Sequence, residues 1–206
     1  MPQLDTIRYY DHHAQRLHSH WLKEKSPSDL LPFLEALKPN SRVLDLGCGT
    51  GMDLVWLQKA GHRGMGIEGS APLAEIARTM NPGVEILQQN LMFLSLKEAE
   101  FDGIWANQVF QHFPAEGVQR VVATGFRGLK PGGVLGLVVF EGNGSFEDRE
   151  GDWSGPSREV FLYSEKALCS MLEQTGFRIE KIGRKKENRQ AGSPTDSQIL
   201  VLASRV

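Results

Sequence analysis

A doubly wound α/β domain with a mostly parallel sheet is what this 206-residue sequence predicts, and three observations predict it. Short apolar runs alternate with helical patterns five times between Asn40 and Phe140. The first run, Val43, Leu44 and Leu46, stops at the glycine-rich turn Gly47-Cys48-Gly49-Thr50-Gly51, as a strand covered on both faces and feeding a ligand-binding loop would. After the fifth run come one more helix and a terminal pair of strand patterns, which brings the count to seven strands.

In chain order, Ile7, Tyr10, Ala14, Leu17 and Trp21 lie on one helical stripe, so an amphipathic helix is expected from about Thr6 to Lys23. His12, His13, His18 and His20 crowd it, but none is three or four residues from another, as one-turn ligand pairs would be. The expectation is no metal site and a solvated face of neutral histidines. Ser26-Pro27-Ser28-Asp29 signals a helix start, and a short helix from about Asp29 to Leu37 is broken by Lys38-Pro39-Asn40. Residues 1–39 are thus expected to form a helical cap and residues 40–206 the domain proper.

The glycine loop is followed by a helix from about Gly51 to Gly61. A dinucleotide fingerprint would place its third glycine three positions after the second, where this chain has Met52; the pattern is instead Asp45-x-Gly47-x-Gly49-x-Gly51. Arg63 to Glu68 forms a strand ending in a carboxylate about twenty residues past the loop, where an acid can accept from both ribose hydroxyls of a nucleoside. Ser70 caps a helix over Ala71 to Met80, which Asn81-Pro82-Gly83 ends, and Val84 to Gln88 alternates as a third strand. Phe101 to Asn107 is the fourth strand, and Asn107-Gln108-Val109-Phe110-Gln111-His112 follows at the carboxyl edge, where open parallel sheets bind ligands. A helix from Pro114 to Leu129 leads through Lys130-Pro131-Gly132-Gly133 to the strand Val134 to Phe140. Glu141 to Arg158 reads as a long glycine-rich loop able to cover a substrate, with Trp153 and Arg158 as contacts by stacking and anion pairing, or else as surface packing and solvated charge. Ser164 to Gly176 is helical, Phe177 to Ile182 a strand, Arg184 to Asp196 a polar loop with a basic cluster, and Ile199 to Ala203 the closing strand.

The Asp45 to Gly51 pattern, Glu68, the Phe101 to Asn107 strand and the Leu-Lys-Pro-Gly-Gly turn stand in the order found in class I S-adenosylmethionine-dependent methyltransferases, and from about Asn40 onward the chain resembles that family. Within it, the chain is most similar to small bacterial methyltransferases of the metabolite and tellurite-resistance type. The resemblance implies a sheet order of 3-2-1-4-5-7-6 with the last strand antiparallel, and S-adenosylmethionine as cofactor. It further implies that Asp45 and the loop of Gly47, Cys48, Gly49 and Gly51 place the methionine end, Glu68 and Gly69 the ribose, and Asn90 and Leu91 the adenine. The family commonly has an acid near Asn90; an amide oxygen still accepts the adenine amine but carries no charge. Asn107 and Gln108 would bound the methyl-donor side, and Tyr9 or Tyr10 on a first helix laid over the cofactor would touch the sulfonium. His112 is a candidate substrate contact and general base, or a neutral residue capping the loop; no catalytic residue is assigned.

Composition constrains partners. A net charge of −2, 40% apolar and 23% charged residues describe an ordinary globular chain with no polyanion-binding balance. Two cysteines, the lack of a signal-peptide core and the lack of an apolar run of membrane-spanning length predict a cytoplasmic protein acting on a small molecule, with no nucleic-acid or membrane partner. A cofactor-binding regulator without catalysis and a nicotinamide-dependent oxidoreductase are the alternatives. Acceptor atom and oligomeric state are not legible.

Overall fold

The computed structural model describes residues 2–23, 28–148, 157–186, 195 and 197–206. Its elements run α1 (Pro2–Trp21), α2 (Leu31–Ala36), β1 (Arg42–Leu46), α3 (Met52–Lys59), β2 (Arg63–Glu68), α4 (Ala71–Met80), β3 (Glu85–Gln88), β4 (Phe101–Asn107), α5 (Ala115–Gly128), β5 (Leu129–Phe140), β6 (Ser145–Asp148), β7 (Arg158–Phe161), α6 (Glu165–Thr175), β8 (Phe177–Lys186) and β9 (Ser197–Arg205). Seven strands form one sheet in the order β3-β2-β1-β4-β5-β9-β8, with β1 to β5 parallel and β9 antiparallel to both neighbours. With the separate β6–β7 hairpin left out of the numbering, this is the expected 3-2-1-4-5-7-6.

Each central strand is apolar on successive residues because each feeds two cores. On β1, Leu44 and Leu46 join one buried cluster and Val43 the other; on β5, Leu135, Leu137 and Val139 face one and Val138 the other. Helices on both sheet faces are what that pattern demands. The first cluster is roofed by α5 and α6 through Val118, Val121, Leu168 and Leu172, the second by α2, α3 and α4 through Phe33, Leu54 and Ala77.

Several expectations are corrected. Within the expected loop of Glu141 to Arg158, residues 145–148 and Arg158 are not loop but belong to the antiparallel pair β6–β7, which sets Asp148 against Arg158 and Phe146 against Val160. Glycine and charge made the segment look irregular, yet Phe146 stands between the polar Ser145 and Glu147 and pairs with the buried Val160, as a half-covered strand pair needs. Trp153 lies outside the described residues. Strand β8 continues through Arg184 to Lys186, paired with Ser197 to Ile199, where a polar loop was expected. It is the sheet's edge, and charged side chains that suggest loop also suit an edge strand that must not recruit another chain. His13 is buried against Tyr9, ring centroids 4.6 Å apart, not on a solvated face. The reason is tertiary: α1 packs against both α4 and β7 and so has two covered sides.

The glycine loop is held from behind by Asn81, the residue that ends α4. Its Nδ2 donates to the Gly51 carbonyl at 3.0 Å and the Ala77 carbonyl at 3.1 Å, and its Oδ1 accepts from Gln58 Nε2 at 2.9 Å. Gly51 has φ +78°, and a Cβ there would sit 2.3 Å from Asn81 Nδ2, so both position and approach require glycine. Asn81→Ala should leave the Gly51 carbonyl with only the Val55 amide, at 3.2 Å, and the Gln58 amide with only its longer bond to the Leu54 carbonyl, at 3.4 Å, lowering stability by about 1–2 kcal/mol. Urea denaturation with an unchanged slope is the measurement; a loss below about 0.5 kcal/mol would show that the loop stands without this tie.

Candidate functional site

At the carboxyl edge of β1, β2 and β4 lies a cleft of about 490 Å³, floored by the strand ends and roofed by α1. Asp45 sits at the end of β1, 2% exposed, and its Oδ2 has no hydrogen-bond partner among the described residues. Burial pushes its carboxyl well above the usual range, and the neighbouring Asp53 and Glu68 carboxylates push the same way. The loop after it turns on Gly47 at φ +66°, where a Cβ would lie 2.5 Å from Val109 Cγ2.

Glu68, at the end of β2, turns back on the loop. Its Oε2 accepts from the Gly49 amide and its Oε1 from the Ser70 amide, both at 2.8 Å. Burial raises its pKa, and the backbone donors only partly offset that. Ser70 Oγ donates to Asp11 Oδ1 at 2.6 Å and accepts from the Leu73 amide, which ties α1 to the start of α4.

On the β4 side, Asn107 Nδ2 and Trp105 Nε1 both donate to Asp53 Oδ2, at 3.2 and 2.7 Å. Asn107 Oδ1 is left buried without a partner among the described residues. Gln108 follows with φ +53°, a left-handed conformation that costs a non-glycine residue about 1 kcal/mol or more, held by its amide bonding to the Val138 carbonyl at 2.9 Å. Asn90 caps the turn Leu91–Phe93, its Oδ1 accepting from the Met92 amide at 2.9 Å, so that oxygen is already engaged by the backbone.

The roof meets the far end of the cleft at Tyr10. Arg158, 8% exposed, donates to the Tyr10 hydroxyl and, through Nε at 2.8 Å, to Asp148 Oδ2, and lies over the Tyr9 ring at 4.6 Å. The Tyr10 hydroxyl is 2.8 Å from His112 Nε2. Burial and the Arg158 charge hold His112 well below the usual histidine pKa, so it is neutral.

The structure thus brings Tyr10, Asp45, Gly47, Cys48, Gly49, Glu68, Gly69, Asn90, Leu91, Asn107, Gln108, His112 and Arg158 to one cleft, while Gly51 stands behind it. Asp53, Gln111 and Trp21 also line it and were not singled out from the sequence. Asp53 carried a weak signal, an acid in the first turn of the helix after a glycine loop. Trp21 was on the predicted stripe, but its stacking over Gly49, 3.2 Å from where a Cβ would be, needed the fold. No group of histidine, cysteine and acid side chains among the described residues has metal-binding geometry, and no described helix is long and apolar enough to cross a membrane.

Residues 10–182 match the family model described as a methyltransferase domain. The chain is 30% identical over 177 residues to the probable tRNA methyltransferase 9B of Bos taurus, covering 84% of this chain and 35% of that protein. It is also 30% identical over 155 residues to an uncharacterized methyltransferase of Synechocystis, covering 70% of each. A solved structure from Methanosarcina mazei, described as a SAM-dependent methyltransferase, superposes with a TM-score of 0.76 at 22% identity, covering 84% of this chain and 96% of that one. The chain spans about a third of the length of the mammalian tRNA methyltransferase 9B proteins it matches.

Three carboxyls with raised pKa contribute a slope of one sign to the pH dependence of the ligand-free protein. A carboxyl whose folded pKa lies above its unfolded value of about 4 holds a proton that the unfolded chain has released. Stability is therefore full below the unfolded value and declines as pH rises through the window up to the raised folded value. Asp45→Asn should remove the largest part of that slope, melting above the parent at about pH 8 and converging with it near pH 4. Thermal melts across that range check it, and a variant less stable at about pH 8 would mean that Asp45 is internally compensated.

Proposed function

The chain belongs to the methyltransferase-domain family, its cofactor is S-adenosylmethionine, and from that premise we propose that the cleft delivers the methyl group to a small acceptor molecule. The observation that carries this reading is a pair of buried oxygens without partners, Asp45 Oδ2 and Asn107 Oδ1. The amide oxygen can only accept, as can the Asp45 oxygen once that carboxyl is ionised, and an α-ammonium group brings three donors and the positive charge that favours its ionisation. Asp53 and Glu68 add negative charge to the same cleft, which suits a ligand that carries a sulfonium as well.

Glu68 would keep its two backbone donors and use its remaining lone pairs for the ribose hydroxyls. Asn90 and Leu91 would flank the adenine; because Asn90 Oδ1 caps the Met92 amide, its Nδ2 is the atom better placed to meet the ring. The narrow backbone of Gly47 and Gly49 gives close approach, and Trp21, Ile7 and Tyr10 close the roof. The bound cofactor supplies an electrophilic methyl carbon, and the protein's task is to hold the acceptor in line and keep water out. We place residues 1–39 as the cap that does the excluding and 40–206 as the cofactor-binding domain. Nothing in the fold or relatives speaks for the tellurite-resistance subtype, and we do not propose it.

A tRNA acceptor is the second reading, favoured by the names of the mammalian relatives. Against it, two basic side chains of β8 are already matched at home: Arg184 bonds Glu141 and Glu165, and Lys185 bonds Asp29 at 3.1 Å. With a net charge of −2, that leaves a weak footprint for phosphates.

Two outcomes are expected. S-adenosylhomocysteine should bind with micromolar affinity by calorimetry, and Glu68→Gln should weaken it about tenfold to a hundredfold. The glutamine amide must also face either the Gly49 or the Ser70 amide, so this variant should lose some stability too; unchanged affinity in the folded variant would remove Glu68 from the site. At physiological salt, tRNA should not bind at micromolar concentrations. Salt-sensitive binding that disappears when Arg184, Lys185 and Lys186 are neutralised would instead favour the tRNA reading.

A further inference from the structure

The acceptor end of the cleft has a polarity that can be read atom by atom. Arginine only donates, so the Tyr10 hydroxyl oxygen accepts from Arg158. The Tyr10 proton is then directed at His112 Nε2, 2.8 Å away, which must accept. A neutral imidazole accepting at Nε2 carries its proton on Nδ1. That Nδ1–H is buried and has no partner among the described residues.

The preceding residue repeats the pattern with the opposite sense. Gln111, 2% exposed and on the same short turn Phe110–His112, has a buried Oε1 with no partner among the described residues. Both residues line the cleft, so an unmatched donor and an unmatched acceptor come from consecutive residues of its wall. The walls around them, Val109, Phe113 and Phe140, are apolar.

The arginine and the lysine that line the cleft are each matched by an acid of the protein: Arg158 by Asp148 at 2.7 Å, and Lys185 by Asp29 at 3.1 Å. Neither pair leaves a net charge for a carboxylate or phosphate to answer. The acids Asp45, Asp53 and Glu68 deeper in the cleft make an anionic acceptor less favourable still.

We propose that the acceptor is an uncharged molecule presenting a hydrogen-bond acceptor beside a donor on one edge, as an amide, lactam or hydroxyheteroarene does, read by His112 Nδ1–H and Gln111 Oε1. This rests on the methyltransferase reading and narrows its substrate class. Arg158 and Tyr10 act as positioning residues: they fix which imidazole nitrogen carries the proton. Burying an unmatched donor and acceptor is what rejects a ligand lacking the complementary pair, a stronger filter than shape alone.

The test uses four probes of similar size, 2-pyridone, benzamide, benzoate and benzylammonium, followed by ligand-observed NMR on the protein with and without S-adenosylhomocysteine. Calorimetry first establishes whether that cofactor product binds; its failure would sink the methyltransferase reading, while the probes still report on this end of the cleft. The neutral pair should bind and the charged pair should not. His112→Gln places an amide near the old Nε2 and keeps the Tyr10 contact, but loses the donor, and should weaken the neutral probes by about tenfold. His112→Asn places its amide near the old Nδ1 and should retain most of the binding. A purely structural histidine predicts the reverse order. Gln111→Leu should act like His112→Gln while leaving the Tyr10 junction intact. Preferential binding of benzoate or benzylammonium, no binding of either neutral probe, or the reversed order of the two His112 variants would overturn the assignment.

Discussion

Two backbone amides, those of Gly49 and Ser70, converge on the Glu68 carboxylate, and the geometry of the cleft hangs on that convergence. The glycine loop leaves β1 and the start of α4 leaves β2; one side chain at 2.8 Å from each joins them. Hydrogen bonds to a carboxylate are among the stronger ones available, about 1.5–3 kcal/mol each, and here they are sheltered from water. The loop would otherwise be a run of glycines with the greatest conformational freedom of any residue. Asn81 restrains the same loop from the opposite side, so it is fixed between two polar anchors while its inner surface stays bare of side chains.

That arrangement concentrates charge where the fold least favours it. Asp45, Asp53 and Glu68 all have raised pKa values, with desolvation as the leading cause in each. Over the same region α1 lays Ile7 against Gly69 and Trp21 against Gly49. A site kept destabilised in the free protein is one whose stability is returned by a cationic ligand, since binding to the folded state alone shifts the folding equilibrium. Stability and ligand recognition are in tension at these three carboxyls, and the tension has the sign a sulfonium and an ammonium would relieve.

At the other end the same roof serves a different purpose. Tyr10 on α1, His112 after β4 and Arg158 on β7 come from three separate stretches of chain and meet at one hydroxyl. The hairpin β6–β7 contributes Asp148 to hold the guanidinium, so this charge is balanced locally and does not reach the cleft as an excess. The consequence is an end that is polar without being charged, next to an end lined by three acids. A molecule that binds across both must present cationic groups to one and neutral hydrogen-bonding edges to the other.

The sequence by itself determined the sheet. Successive apolar residues on β1, β4 and β5, glycine stops and the Ser70 cap are local signals, and each names its element without reference to the rest of the chain. It also determined which strand ends would matter, because ligands of parallel sheets gather at carboxyl edges, where Glu68 and Asn107 end their strands and Asp45 is the last residue but one of its own. Only the tertiary structure decided what those residues bond to. Asp53 became part of the site through Trp105 and Asn107, more than fifty residues away, and Arg158 became a buried partner of Tyr10 across 148 positions. The segment that looked like loop became a hairpin, and the polar run after Ile182 became an edge strand, because pairing with a neighbour, not composition, settles whether a charged stretch is extended. Burial is likewise a property of the assembled layers: His13 and Gln111 are polar in sequence and buried in the fold because elements from elsewhere cover them, and no local pattern carries that information.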